Sequence, residues 1–240
     1  MTNEIVRWAG AGIVILMELI LLSNLLMNKD SPLQRLIKNV SAQEKIRDAS
    51  YSYSRTQLVW WTFIVITCAL VDYGITGTLN GIMSSTALTL IGIGAGTSVA
   101  GRVIDNSQSN DTSLKLHQHE ASKGFWMDIL SDQDGVSIHR FQSVLFNVGF
   151  GFAFITQFMG KMQDYICSTC MAGKTSEEIL KVIELPTFDS TTLGLIGISS
   201  GTYVALKFNE NLSKKPAPAP DPDPAPQPDP APAPDPNPPA

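Results

Sequence analysis

One stretch of this chain occurs twice, and the repetition constrains the fold more than any other feature. Leu88 to Asp105 reads LTLIGIGAGTSVAGRVID, and Leu193 to Glu210 reads LGLIGISSGTYVALKFNE. Leu, Ile, Gly, Thr, Val and Ala recur in register, followed in each copy by a base (Arg102, Lys207) and then an acid (Asp105, Glu210). That density of matches reads as an internal duplication. Each copy is an apolar run with Gly at i and i+4, a spacing that lets membrane helices approach closely. The expected packing stripe is Gly92, Gly96 and Ala100 in the first copy, and Gly197, Gly201 and Ala205 in the second. Thr89 and Gly194 extend the two stripes by one turn.

Further apolar runs set the rest of the architecture. Ile5–Met27, Leu58–Gly74, Thr86–Ile104, Phe141–Gly160 and Thr191–Phe208 are each long enough, at about 1.5 Å per residue, to cross or nearly cross a bilayer core. A near-neutral start, Glu18 within the run and no small-x-small cleavage site make the first a retained span rather than a signal peptide. Only 16% of the residues are charged, against about 25% in soluble domains, which agrees with a membrane protein. The expected fold class is therefore an all-α membrane protein with five transmembrane helices. The last four form a parallel tandem repeat of a two-helix hairpin. The expected segments are a first span (1–28), a basic amphipathic loop (29–57), a first hairpin (58–105), a loop (106–140), a second hairpin with its outer loop (141–210) and a tail (211–240).

The two hairpins also share their entrances. Ser52, Arg55 and Gln57 before the second span answer Ser137, Arg140 and Gln142 before the fourth, both as S-x-x-R-x-Q. Ser suits a helix cap, Arg reaches toward phosphates, and a Gln just inside needs a hydrogen-bond partner. Trp60 and Trp61 read as interfacial anchors. In the loop from 29 to 57, Ser31-Pro32 is a helix start and Leu33, Leu36, Ile37 and Val40 share a face. That segment either lies on an anionic leaflet or forms a solvated loop. Ser41 to Glu44 suggests a capping box. Gly124 to Leu130 is a second surface-helix candidate, with Trp126 at headgroup depth. Lys29, Arg35, Lys38, Lys45, Arg47 and Arg55 crowd the first loop, and the outer loops are poorer in bases. The expected orientation is N-terminus outside and C-terminus in the cytoplasm.

From Pro216 to Ala240 nearly every second residue is Pro, interspersed with Asp221, Asp223, Asp229 and Asp235. Such a segment has nothing to bury and is expected to be a disordered, polyproline-II-like tail, reaching about 75 Å if extended. It serves as a spacer or as a docking strip.

WWTFIVI after S-x-x-R-x-Q, Phe125 to Gln142 (FWMDILSDQDGVSIHRFQ) and Pro186 to Phe208 (PTFDSTTLGLIGISSGTYVALKF) resemble a family of uncharacterised bacterial multi-span membrane proteins. The resemblance covers about Ser52 to Glu210. It implies a bacterial inner-membrane location and no particular activity.

Candidate chemistry is sparse. Glu18, in mid-span, is the intramembrane polar candidate: a coupling group, or a protonated carboxyl bonded to Asn147, Gln157 or backbone. Cys167 and Cys170 can form a local disulfide outside, and with Cys68 as the only other thiol a redox relay lacks a second pair. Asp132 to Gly135 reads as a turn, since the following positions do not supply an EF-hand ligand set. No basic stripe interleaved with aromatics points to nucleic acid. The sequence thus favours a non-enzymatic scaffold or anchor, without cofactor or metal, that meets membrane lipids, a protein partner and, compatibly, further copies of itself. The alternative is a small transporter or channel component using Glu18, Asp72, Asn80 and other intramembrane polar residues.

Overall fold

The computed structural model describes residues 2–28, 31–39, 46, 48–76, 84–109, 121–132, 135–170 and 185–210. Among them the chain is mostly helical. The long helices are α1 (Thr2–Met27), α2 (Tyr53–Thr76), α3 (Ser85–Ser109), α5 (Ile138–Cys170) and α6 (Ser190–Glu210). A 3₁₀ turn (Pro32–Leu36), a short α4 (Phe125–Leu130) and a two-residue-per-strand hairpin, β1 (Ser131–Asp132) with β2 (Gly135–Val136), lie between them. Gly135 takes φ 118°, a backbone conformation that a side chain disfavours, and so closes this hairpin. The expected capping box at 41–44, the outer loop at 171–184 and the tail from 211 lie outside the described residues.

Three helices, over Tyr53–Gly74, Ser85–Gln108 and Ile138–Asp164, are long and apolar enough to cross a membrane. In α1 the described apolar stretch is Ile15–Leu25. The helices outrun the hydrophobic runs from which they were expected: α2 starts at Tyr53, and α5 continues through Cys167 to Cys170. Polar residues at these ends extend the helices because local backbone bonding continues beyond the apolar stretch.

Helix α2 packs on α3 and α5, α6 packs on α3 and α5, and α1 lies against α2. The starts of α2 and α5 meet the ends of α3 and α6. Gly101 of α3 approaches Ser54, Lys207 of α6 pairs with Asp105 of α3, and Asn147 of α5 bonds Tyr53. Corresponding helices of the two hairpins thus run in the same direction and lie side by side. The core of this four-helix ring is an apolar layer in which Trp61, Leu90, Phe154 and Ile196 are each fully buried.

The glycine stripe is not the packing face. A Cβ placed on Gly92, Gly96 or Gly201 would meet nothing within 4 Å, and the nearest atom to one on Gly197 is Ile93 Cδ1 at 3.9 Å. Ala205 is exposed and Ala100 half-buried. Helix α3 instead buries Ala87, Leu90, Gly94, Thr97, Gly101, Ile104 and Gln108, an alternation of three- and four-residue steps. The close approaches fall at Gly94, whose Cβ would stand 3.2 Å from Leu58 Cα, and at Gly101, 3.3 Å from Ser54 Oγ. In α6 the buried face runs through Ile196, Ser199, Ser200, Tyr203 and Lys207. Only Gly94 and Ser199 are equivalent fully buried positions in these two lists, so the two stretches bury different faces. Side-by-side placement explains this, because one hairpin meets its neighbour with the face opposite to the one its neighbour offers.

Candidate functional site

Where α2 and α5 begin and α3 and α6 end, side chains that are polar along apolar helices converge. Gln57 Nε2 donates to Ser200 Oγ at 2.9 Å, bridging α2 and α6. Ser143 and Ser199 share a hydroxyl–hydroxyl bond of 2.6 Å between α5 and α6. Asn147 bonds on both sides: its Nδ2 donates to Tyr53 Oη at 3.0 Å, and its Oδ1 accepts from Trp61 Nε1 at 2.7 Å. Trp60 Nε1 donates to the Asn147 carbonyl at 3.1 Å. A buried polar group without a partner costs roughly 1–3 kcal/mol, so these cross-helix bonds pin the register of the ring. Gln57 Oε1 is the exception, buried with no donor among the described residues.

The same end holds a charged pair and an aromatic pair. Lys207 Nζ lies 2.9 Å from both carboxylate oxygens of Asp105. The base of the second copy therefore pairs with the acid of the first, while Arg102 is exposed. Tyr53 and Tyr203 pack with their rings tilted by 58° and their centroids 4.6 Å apart, and the Arg140 guanidinium lies 5.4 Å from the Tyr203 ring centroid.

Across this end lies a folded platform. Asp128 of α4, largely buried, accepts from Tyr51 N at 3.1 Å, Ser122 Oγ at 2.7 Å and Lys123 N at 2.8 Å. Antiparallel bridges join Lys38 to Tyr51 and Ala49 to Ala121. Arg55 Nη1 donates to the carbonyls of Arg35 (3.0 Å) and Lys38 (2.8 Å). Lys38 is buried, its ammonium bonded to Ile46 O at 3.0 Å and lying 4.6 Å from the Tyr51 ring centroid. Gln34, fully buried, donates to Leu25 O at 2.9 Å and so closes the end of α1. The first loop is therefore neither a helix lying free on a leaflet nor a solvated strand in its described part. It is packed onto the bundle, although Ser31 starts a helical turn as expected, its Oγ accepting from Leu33 N at 3.3 Å.

The S-x-x-R-x-Q residues meet different fates. Ser52 Oγ bonds Ser54 Oγ rather than capping α2. Arg55 holds the platform, Gln57 enters the polar cluster, and Arg140 meets Tyr203. Ser137 takes part through its main chain, its N–H donating to Leu130 O, and Gln142 is exposed on the outside of α5. Trp61 is not an interfacial anchor, since it sits in the core bonded to Asn147 Oδ1, α2 beginning eight residues before it; Trp60, 37% exposed, bonds the Asn147 carbonyl. Asn147, Ser143, Ser199, Ser200 and Asp128 carry most of this end. The signal that exposes all but Asp128 is a polar residue in an apolar helix, since in lipid such a group must find a partner within the protein.

The remaining candidates lie elsewhere. Glu18 of α1 accepts from Thr67 Oγ1 of α2 at 2.5 Å, and neither Asn147 nor Gln157 serves it. Asp72 is fully buried near the far end of α2, with neither carboxylate oxygen partnered among the described residues. Cys167 and Cys170 fall in the last turn of α5, their side chains outside the described residues.

Three helices long and apolar enough to cross a membrane, tied to one another and to α6 by buried polar bonds, mark the class as an α-helical membrane protein. No protein-family model matches the chain, and neither a curated protein nor a solved structure matches it.

Proposed function

We propose that the protein is a non-enzymatic membrane scaffold of five spans, with its N-terminus outside and its platform and tail in the cytoplasm, where they meet a protein partner. The observation that carries this reading is the apolar layer of Trp61, Leu90, Phe154 and Ile196. It separates the polar cluster at one end of the ring from Asp72 at the other, and it leaves Glu18 outside the ring on α1. A transporter needs those polar groups along one wetted path, and a layer of fully buried side chains interrupts it. The platform supports the same reading, for it is fastened by a set of mostly part-buried hydrogen bonds yet exposes Trp126, Met127, Val136 and Ile138. The resemblance of residues 52–210 to bacterial multi-span proteins supports a bacterial inner-membrane location.

The test is twofold. Cysteine placed at Ser113 should label only after permeabilisation and at Ser176 in intact cells, both in a background lacking native thiols. Mild-detergent purification should recover a stoichiometric protein partner that is lost when the exposed platform residues Trp126 and Met127 are changed to Ser. Labelling of Ser113 in intact cells would reverse the orientation, and absence of a stoichiometric partner would remove the scaffold reading. A second reading, a transport component, is favoured by Asp72 alone, since an unpartnered buried carboxylate in a span is costly and usually functional. It requires that Asp72→Asn abolish a measurable ion or solute flux in proteoliposomes.

A further inference from the structure

Between α1 and the ring lies a cleft of about 680 Å³. One wall is α1 from Ile15 to Leu25, the other α2 from Tyr53 to Val71 together with α5 from Val144 to Met159, and α4 closes one end through Phe125 and Trp126. Its lining along α2 extends about 27 Å at 1.5 Å per residue. The lining follows the helices for most of that length, so the cleft is elongated rather than a chamber for a compact ligand. The lining is almost entirely apolar. Leu19, Val148 and Met159 are 57%, 48% and 64% exposed, so the cleft opens sideways to its surroundings rather than sealing within the protein.

We propose that this cleft is a binding site for one hydrocarbon chain of a phospholipid from the leaflet next to the platform. The proposal rests on the membrane reading and adds a specific lipid to it. A headgroup-to-midplane distance is about 20 Å, half of a 40–45 Å bilayer, so the lined length accepts one chain of a single leaflet's lipid from end to end. One chain lies along the cleft, and the lateral opening leaves the second in the bilayer. The platform end supplies what a headgroup needs. Trp126 is 61% exposed there and suits the interface. Arg35, exposed on the turn that ends at the lining residue Ile37, is a cation close in sequence to this end of the cleft. An empty apolar slot of this size would forfeit dispersion contacts along both walls, which a bound chain restores.

Native mass spectrometry of the full chain, purified in mild detergent and diluted to strip loosely held lipid, tests the site. The wild type should retain one phospholipid per protomer. Val148→Trp fills the cleft from α5 and should lower that occupancy at least five-fold; Leu19→Trp, from α1, does the same if the first variant fails to fold. Ile198→Trp, on a 70% exposed position of α6 away from the cleft, should retain the lipid as the wild type does. A phospholipid with brominated chains should quench tryptophan fluorescence in Ile198→Trp and wild type after dilution, by way of Trp60 and Trp126. A wild type without retained phospholipid, equal retention by folded Val148→Trp and wild type, an isoprenoid lipid as the retained mass, or a dimer that Val148→Trp dissociates would each overturn the proposal. Protein found in the membrane fraction but without retained lipid defeats this site alone; protein found in the soluble fraction without detergent defeats the membrane reading.

Discussion

At the scale of single residues, the buried hydrogen bonds mark where substitutions hurt. Asp128 accepts from two backbone N–H groups and one hydroxyl, so Asp128→Ala removes the acceptor that joins α4 to residues 51 and 122–123. Stranded donors cost roughly 1–3 kcal/mol each when buried; these are partly buried, and a loss of about 2 kcal/mol in platform stability is expected. Limited proteolysis between Ser122 and Ser137 should quicken accordingly, and an unchanged cleavage rate would show that the platform holds without this node. Asp189 offers a pH-dependent counterpart. Its carboxylate accepts from Thr192 N at 2.7 Å at the start of α6, and this bond holds its pKa below the usual Asp value. A depressed carboxylate pKa contributes stability above the unfolded value and loses it as pH falls through the folded value. Protection of the Thr192 amide, its exchange rate measured against an unstructured amide at the same pH, should therefore fall on acidification below the ordinary Asp range, and Asp189→Ala should leave it poorly protected at every pH.

At the scale of elements, close approach and glycine spacing have to be separated. Gly94→Leu would drive a side chain into the backbone of α2 at Leu58, and overpacking of this kind costs about 1–3 kcal/mol. Gly96→Leu points away from the protomer's own helices and should melt with the wild type in detergent. The reverse order of stabilities would restore the Gly92–Gly96 stripe as the packing face within the protomer. Gly151 is tighter still, since a Cβ there would lie 2.7 Å from Trp60 Nε1. Gly151→Ala must displace the indole and its bond to the Asn147 carbonyl, which tryptophan fluorescence should register.

At the scale of the whole molecule, the two hairpins are joined by a largely buried charge pair, by the apolar layer and by the cross-helix hydrogen bonds of the polar end. Lys207→Met leaves Asp105 beside an apolar chain, and breaking such a pair from one side costs about 3–5 kcal/mol. Asp105→Leu with Lys207→Met removes both charges and should recover most of that loss. Thermal unfolding of the two variants decides the matter: equal destabilisation would mean that the pair does not couple α3 to α6. Phe154→Ala in the layer should cost about 3–5 kcal/mol, the usual range for a buried aromatic truncated to Ala.

Long apolar runs bounded by polar residues are enough to make helices α2, α3, α5 and α6 legible in the chain, because hydrophobic length and backbone self-satisfaction are local properties. The Ser31-Pro32 helix start was legible for the same reason. Which face of each helix is buried was not. Glycine spacing shows where helices are able to approach closely, but Gly92 and Gly96 face outward while Gly94 and Gly101 meet α2, since the neighbour's position selects the face. The polar end was visible only as scattered Ser, Asn, Gln and Lys residues. Their pairing across 56 to 143 residues of sequence, from Ser143 with Ser199 to Gln57 with Ser200, depends on helices brought together in space. Local sequence determined the helices; the placement of one hairpin beside the other decided the contacts, because a side chain's partner is set by tertiary geometry and not by its neighbours along the chain.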